Sequence, residues 1–472
     1  MKNSINLLQE AKRLIAFNTV TTQSNAECAL YVGRLLTEHG FRVQCQEYRE
    51  GGQLFLNVLG TLGPAVGAPL LLAAHLDTVE AGDPALWTKT GRHPWKATVR
   101  GDALYGLGSA DDKLDFLCKL IAITQVPAAR LTRPVLLLGT FGEERGLLGA
   151  SRFCQEAMTR PLMALVGEPS SLQIVTRHKG LLVGELDLLR RGVYRTETIE
   201  TVYDVTVDGM AAHSSTPALG QNAVLRLLDL LKTIGQPASG LRLLDVHGGT
   251  AANIIPARCT AQVSAVGAIR HALLTRRHGV TIQPRRLPAG WHPTVPWTDI
   301  VAYLDGLTAV LAPYQKARDR AFAPPLLTSA VTRLRVVEGA LVLTFDVRSL
   351  PGQDLGRIAQ RCEHLGWTLF GPPGDRWQFR RERQNPGLHT APAAPVVALL
   401  RAAMRKARVP ATLAAKAGCS EAGWYQMVGI PSVVFGPGQA QGNIHQPNEH
   451  TSLHQVRRAI AVYRAAIERC CT

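Results

Sequence analysis

The chain has 472 residues, 46% hydrophobic and 19% charged. That composition excludes a disordered chain, and the length calls for two domains or one with a large insertion. The net charge of +16 is uneven, because residues 266–410 hold 21 Lys and Arg against 9 Asp and Glu. The basic residues stand singly or in pairs outside any nucleic-acid module, so a field attracting small anionic substrates is expected rather than nucleic-acid binding.

In chain order, residues 1–20 read as an amphipathic helix with Ile5, Leu8, Ala11, Leu14 and Ile15 on one face. The stretch lacks the continuous apolar core of a signal peptide, and no apolar run approaches the roughly 20 residues of a membrane span. Ser24 and Glu27 form the pattern of a capping box, opening a helix that runs to about Gly40. Short apolar runs at 54–60, 69–74, 134–140 and 162–167 read as buried strands, with helical patterns at about 111–125 and 146–158. This alternation predicts an α/β sheet covered on both faces.

Near residue 180 the texture changes to half-buried strands, with a helix at about 219–235 and further strands at 241–247, 257–266, 331–337 and 341–347. A smaller α+β domain inserted into the first is expected. Within it, 267–328 is rich in Pro and Arg and carries a helical stretch, "WTDIVAYLDGLTAVL". After about 385 the α/β texture returns, with a helix near 394–408, a strand "PSVVFG" and a closing helix from about 452. The expected division is therefore 1–195 and 385–472 for the first domain and 196–384 for the insert. Nine cysteines without metal-finger spacing read as free thiols of a reducing cytoplasm, and Cys470 and Cys471 are expected at a frayed end.

Polar residues recur where these strands end. The run "LLLAA" leads into His75 with Asp77 two positions on; Asp111 and Asp112 follow a Gly-rich turn; Glu143, Glu144, Glu168 and His445 each follow a predicted strand. Open α/β sheets build sites at the carboxyl ends of their strands. Crowded carboxylates need cations to neutralise them, and two divalent ions held by histidines and carboxylates would do so. His75 is then expected as a metal ligand, with Asp77 orienting its other ring nitrogen.

The ordered set H-x-D at 75–77, G-x-G-x-x-D-x-K at 106–113, E-E at 143–144, G-E-P at 167–169 and F-G-P-G…H-x-x-N-E at 435–449 resembles the co-catalytic zinc amidohydrolases. That family includes acetylornithine deacetylase, succinyl-diaminopimelate desuccinylase, aminoacylase, carboxypeptidase G and carnosinase-type dipeptidases. The resemblance covers nearly the whole chain except about 267–328. It implies a catalytic domain with a mostly parallel central sheet, an inserted lid through which the chain forms a homodimer, and two divalent ions, zinc first with cobalt or manganese compatible. It further implies that Asp111 bridges the ions and is followed by a cis peptide. His75 and Glu168 would complete one metal site, and Glu144 and His445 the other.

Glu143 would be the general base. In the lid, His213 would reach the active site of the partner subunit and stabilise an oxyanion, while Asn253 and Arg348 would hold a substrate carboxylate and the scissile carbonyl. The sequence departs from the family pattern at Leu107 and Leu114, and its "GCSEA" segment places Ser420 and Glu421 on the substrate side. Cys419 in that segment lacks an identifiable base and orienter, which argues against a thiol nucleophile. The expected activity is deacylation of N-acyl-amino acids, a small carboxylate-bearing substrate class. Dipeptidase or carboxypeptidase action is the alternative within the family, and a catalytically silent binding protein the alternative outside it.

Overall fold

In the computed structural model, which describes residues 5–156, 160–189, 192–235, 240–275 and 277–472, the chain divides into two compact units. The first comprises 1–178 and 385–472, and the second 179–384.

The first unit is built on a mixed sheet, with nine strands among the described residues. From one edge the order is Arg42–Glu50, Gln53–Leu62, Val135–Thr140, Leu70–His75, Met163–Val166, Ser432–Val434, Ile174–His178 and Leu388–His389, with Leu413–Lys416 paired to Ile174–His178. The four central strands run parallel, in the registers His75 to Thr140, Ala73 to Val166 and Val434 to Val166. Their carboxyl ends therefore lie at one edge. Leu70–His75 and Val135–Thr140 are buried at every position, which is why they read as continuous apolar runs.

Helices Leu7–Ala16, Lys113–Thr124, Pro395–Lys406 and Leu453–Cys471 share one core cluster on this sheet. The strand Arg42–Glu50 was not expected from the sequence. It is a largely exposed edge strand, and its polar residues leave no apolar alternation to detect.

Two local expectations are corrected. The second helix starts at Ala26 with Asn25 as its N-cap, and the capping box does not form. Asn25 exchanges hydrogen bonds of 2.9 Å with the N–H and carbonyl of Leu56, and Ser24 donates to the carbonyl of Leu54. Docking the helix start onto a strand satisfies these groups in place of the reciprocal cap. The C-terminus is not frayed either. The last helix runs through Cys471, which is fully buried and whose carbonyl accepts the Thr132 N–H at 2.8 Å and the Arg133 N–H at 3.3 Å. Deleting residues 470–472 is expected to cost about 2 kcal/mol, from one lost apolar side chain and two orphaned N–H groups, read as a fall in urea midpoint.

The second unit is an eight-stranded sheet among the described residues. Its order is Val280–Leu287, Glu200–Asp208, Arg258–Ser264, Arg242–Gly248, Thr328–Val337, Ala340–Ser349, Gly180–Leu188 and Trp377–Asn385. Gly180–Leu188 pairs along its whole length with Leu341–Ser349. The sheet membership of that strand moves the boundary to about 178, ahead of the expected 195. Helices Ala223–Ile234, Trp297–Leu311 and Leu355–Phe370 pack into this unit's core, where Trp297, Ile300, Tyr303, Leu307 and Leu311 are buried.

Segment 267–328 is integral to the unit. Its strand Val280–Leu287 extends the sheet beside Glu200–Asp208, and Gly290–Thr294 pairs with Gly192–Thr196. The predicted helix spans Trp297–Leu311.

Candidate metal centre and lid cluster

The parallel registers bring the strand-end residues together. His75 ends its strand, Glu143 and Glu144 stand just beyond Thr140, and Glu168 stands two residues beyond Val166. His445 comes from the loop after Ser432–Val434, with φ at 60°, a left-handed conformation that costs a non-glycine residue free energy. The Gly-rich turn is needed at Gly108, where φ is 82° and a Cβ would lie 3.0 Å from Lys113 Cδ. The Asp111–Asp112 peptide is cis, as the resemblance implied.

Asp111 is the hub. Its Oδ1 lies 2.8 Å from His75 Nε2 and its Oδ2 3.3 Å from His445 Nε2, which in turn lies 3.0 Å from Glu144 Oε1. Ligand atoms of His75, Asp111 and Glu144 all fall within 4.8 Å of one another. Glu168 Oε2 is bonded to the ammonium of Lys416.

Asp77 acts differently from expectation. His75 Nδ1 faces the backbone carbonyl of Asp77 at 3.0 Å, while the Asp77 carboxylate is 3.6 Å away, beyond hydrogen-bond range. That carboxylate instead accepts the N–H groups of Glu143 at 3.1 Å and Glu144 at 3.2 Å, holding the turn that carries both glutamates.

The electrostatics reflect the crowding. Burial, then the charge of Glu168, pushes the Glu143 carboxyl well above the usual carboxylate range. Burial and Asp111 raise Glu144 as well. Burial opposes a charged His445, yet hydrogen bonds to Asp111 and Glu144 raise it to about 10. Burial likewise opposes ionisation of Asp111, but hydrogen bonds from His445 and His75 hold it far below its ordinary value. Carboxylates and imidazoles that take up protons to tolerate one another are a donor set that suits divalent cations, which would relieve the same repulsion. His75, Asp111, Glu144, Glu168 and His445 therefore fit the ions the resemblance implies.

Three supporting residues were missed. Glu449 Oε1 accepts the N–H groups of Ala110 at 2.8 Å and Asp111 at 3.2 Å, fixing the hub's backbone, and burial raises this carboxyl to about 8. It stands inside the quoted H-x-x-N-E motif, so the signal was present. Lys416 stands two residues before the quoted "GCSEA". Its strand, Leu413–Lys416, is four residues of intermediate burial, too short an apolar run to single out its charged end.

The third is Lys119. Its ammonium, fully buried, is bonded to Asp115 and donates to the carbonyl of Ala73 at 2.7 Å. The Tyr463 hydroxyl lies 2.7 Å from Asp115 Oδ1 and 2.6 Å from the Phe435 carbonyl. Asp115 and Lys119, four apart in a helix that is almost wholly apolar after Lys113, were the available sign of a buried pair.

Ser420 and Glu421, expected on the substrate side, are buried as His75 and Glu168 are, and Glu421 lies near enough to His75, Asp77 and Glu168 for their charges to act on its carboxyl. Ser420 is fully buried with Oγ 2.9 Å from His178 Nε2. Glu421 is 2% exposed with Tyr425 OH 3.4 Å from its Oε2, and burial raises its carboxyl to about 7. Cys419 Sγ receives Asn385 Nδ2 at 3.5 Å. Leu107 and Leu114 are both buried, Leu114 within the main core cluster.

In the second unit, the three lid residues gather around Ser214. Ser214 N–H donates to the Asn253 carbonyl at 2.9 Å, and its hydroxyl to Asp346 Oδ2 at 2.9 Å. Arg348 pairs with Asp346 at 2.9 Å. The Asn253 side chain is exposed. His213 Nδ1 accepts the Ser215 N–H at 3.1 Å, so a neutral imidazole carries its proton on Nε2. Burial, followed by Arg348, lowers the His213 pKa and favours that neutral form.

Comparison with known proteins agrees with this architecture. The family described as Peptidase family M20/M25/M40 matches residues 71–469. Among solved structures, aminoacylhistidine dipeptidase from Vibrio alginolyticus is 16% identical with a TM-score of 0.62, covering 99% of this chain and 96% of that one. An M20 family metallo-carboxypeptidase from Sulfolobus solfataricus is 16% identical at TM-score 0.59, covering 98% and 99%. Human carnosine dipeptidase 1 is 13% identical at 0.57, covering 98% and 95%. At these identities the likeness to the solved structures is one of fold.

Proposed function

This chain belongs to peptidase family M20/M25/M40 and is a hydrolase of peptide or amide bonds; from that premise we propose that it deacylates N-acyl-amino acids. The observation that carries the reading is Lys416, whose ammonium sits on Glu168 among the clustered carboxylates. A dipeptide brings a free ammonium close to its scissile amide, which Lys416 would repel, whereas an N-acyl group brings none.

In this reading His75, Asp111, Glu144, Glu168 and His445 would hold two divalent ions. Zinc suits the donors, and cobalt or manganese is compatible. When bound, the ions supply Lewis acidity that acidifies water and polarises a carbonyl oxygen. The Glu143 carboxylate takes a proton from the attacking water and returns it to the departing amine nitrogen. Asp77, by accepting the Glu143 and Glu144 N–H groups, keeps the base and its neighbour in position.

His213, neutral and with its proton on Nε2, is suited to donate to the developing oxyanion. Arg348 and Asn253 are suited to the substrate carboxylate and carbonyl, although Arg348 already shares its guanidinium with Asp346. The same reading carries a homodimer formed through the second unit. It also carries a cytoplasmic location, in keeping with nine unbridged cysteines. No helix among the described residues is long and apolar enough to cross a membrane.

The test is a panel of matched N-acetyl-amino acids and dipeptides with the zinc-loaded protein. Higher kcat/KM on the acetylated members is expected. Preference for dipeptides would keep the mechanism and move the substrate class, and no hydrolysis of either would favour a binding protein.

A further inference from the structure

Two ions placed in this centre would not meet equal hosts. The donors of one site already meet, with His445 reaching Asp111 at 3.3 Å and Glu144 at 3.0 Å. One ion therefore finds its donors already converged. Glu168, the carboxylate that sets the other site apart, is bonded to Lys416 and its side chain is only 4% exposed. Lys416 ends the strand Leu413–Lys416, whose parallel pairing with Ile174–His178 aims the lysine at the strand-end cluster.

We infer that Lys416 makes the two metal sites unequal: one ion is held tightly through Asp111, Glu144 and His445, and the ion that needs Glu168 is held weakly. This rests on the metallohydrolase reading above. For a cation to bind at Glu168, the carboxylate must leave the ammonium or carry both charges. In the first case a half-buried ammonium loses its partner. In the second, a monovalent and a divalent cation share one oxygen pair in a poorly screened interior. Both routes lower the affinity of that site and leave the other site's donors untouched. Occupancy of the second site would then follow metal supply over a range in which the first stays filled.

The experiment uses the full chain, stripped with a chelator and equilibrated by dialysis against buffered free Zn²⁺, with bound zinc measured by atomic emission and folding checked by circular dichroism. The wild type is expected to bind one zinc tightly and a second at least about a hundredfold more weakly, a fraction of the repulsion between an ammonium and a divalent ion at contact. Lys416→Met keeps the aliphatic stem without the charge and is expected to bring the two affinities within about tenfold. Lys416→Arg retains the charge and is expected to retain the inequality. Two equally tight zincs in the wild type, or an unchanged gap in Lys416→Met, would overturn the inference while leaving the metallohydrolase reading intact. Failure of the folded wild type to bind any zinc would overturn that reading and the inference with it.

Discussion

Glu143→Gln lowers kcat by about 10²–10⁴-fold, the usual range for a general base, while bound zinc stays at the wild-type level. The geometry separates these two effects. Glu143 takes no part in the contacts that join His75, Asp111, Glu144 and His445, so amide in place of carboxylate leaves the donors where they are. Its backbone N–H still donates to Asp77, so the turn is held as before. What is lost is a proton acceptor beside the water. Kinetics on the preferred substrate, paired with metal analysis of the same sample, check the result. A kcat within threefold of wild type would remove Glu143 from the mechanism, and a parallel loss of zinc would make it a ligand.

Lys119→Met destabilises the first unit by about 3–5 kcal/mol, the cost of removing one partner from a fully buried ion pair. Asp115 and Lys119 are both inaccessible to solvent. Without the ammonium, Asp115 keeps only the Tyr463 hydroxyl, and burial raises its carboxyl already. Asp112, whose two buried oxygens have no hydrogen-bond partner among the described residues, stands close by and would add its repulsion.

The space is also tight: a Cβ on Gly167 would fall 2.1 Å from Asp112 Oδ2 and 2.7 Å from Lys119 Nζ. Urea midpoints of the single mutant and of Lys119→Met/Asp115→Leu measure the effect. The double mutant, with both charges gone, is expected to recover more than half of the loss. A single mutant within 1 kcal/mol of wild type would show that the pair is dispensable.

The residues show where the chain was legible. Leu70–His75 and Val135–Thr140 were readable because a strand covered on both faces must be apolar throughout. Arg42–Glu50 was not, because an edge strand exposed at most positions has no apolar period. His75, Asp111, Glu144 and His445 could be grouped because polar residues at the ends of apolar strands have few other reasons to recur.

Contacts that join distant parts of the chain were hidden. Whether the Asp77 carboxylate meets His75 or the Glu143–Glu144 turn depends on loop placement, which no spacing encodes. Lys416 and Glu168 are 248 positions apart, so their pairing exists only once the sheet has formed.

The order of strands in the first unit has a consequence for synthesis. Ser432–Val434 lies between Met163–Val166 and Ile174–His178, and is joined to them by a chain that first makes the whole of 179–384. On the ribosome, the second unit is fully exported while this central position of the sheet is still waiting for its strand. The early strands must hold their apolar edge through the translation of more than 200 further residues, an interval in which such edges invite aggregation. His445 follows the late strand, so it joins Asp111 and Glu144 only after the second unit has been made.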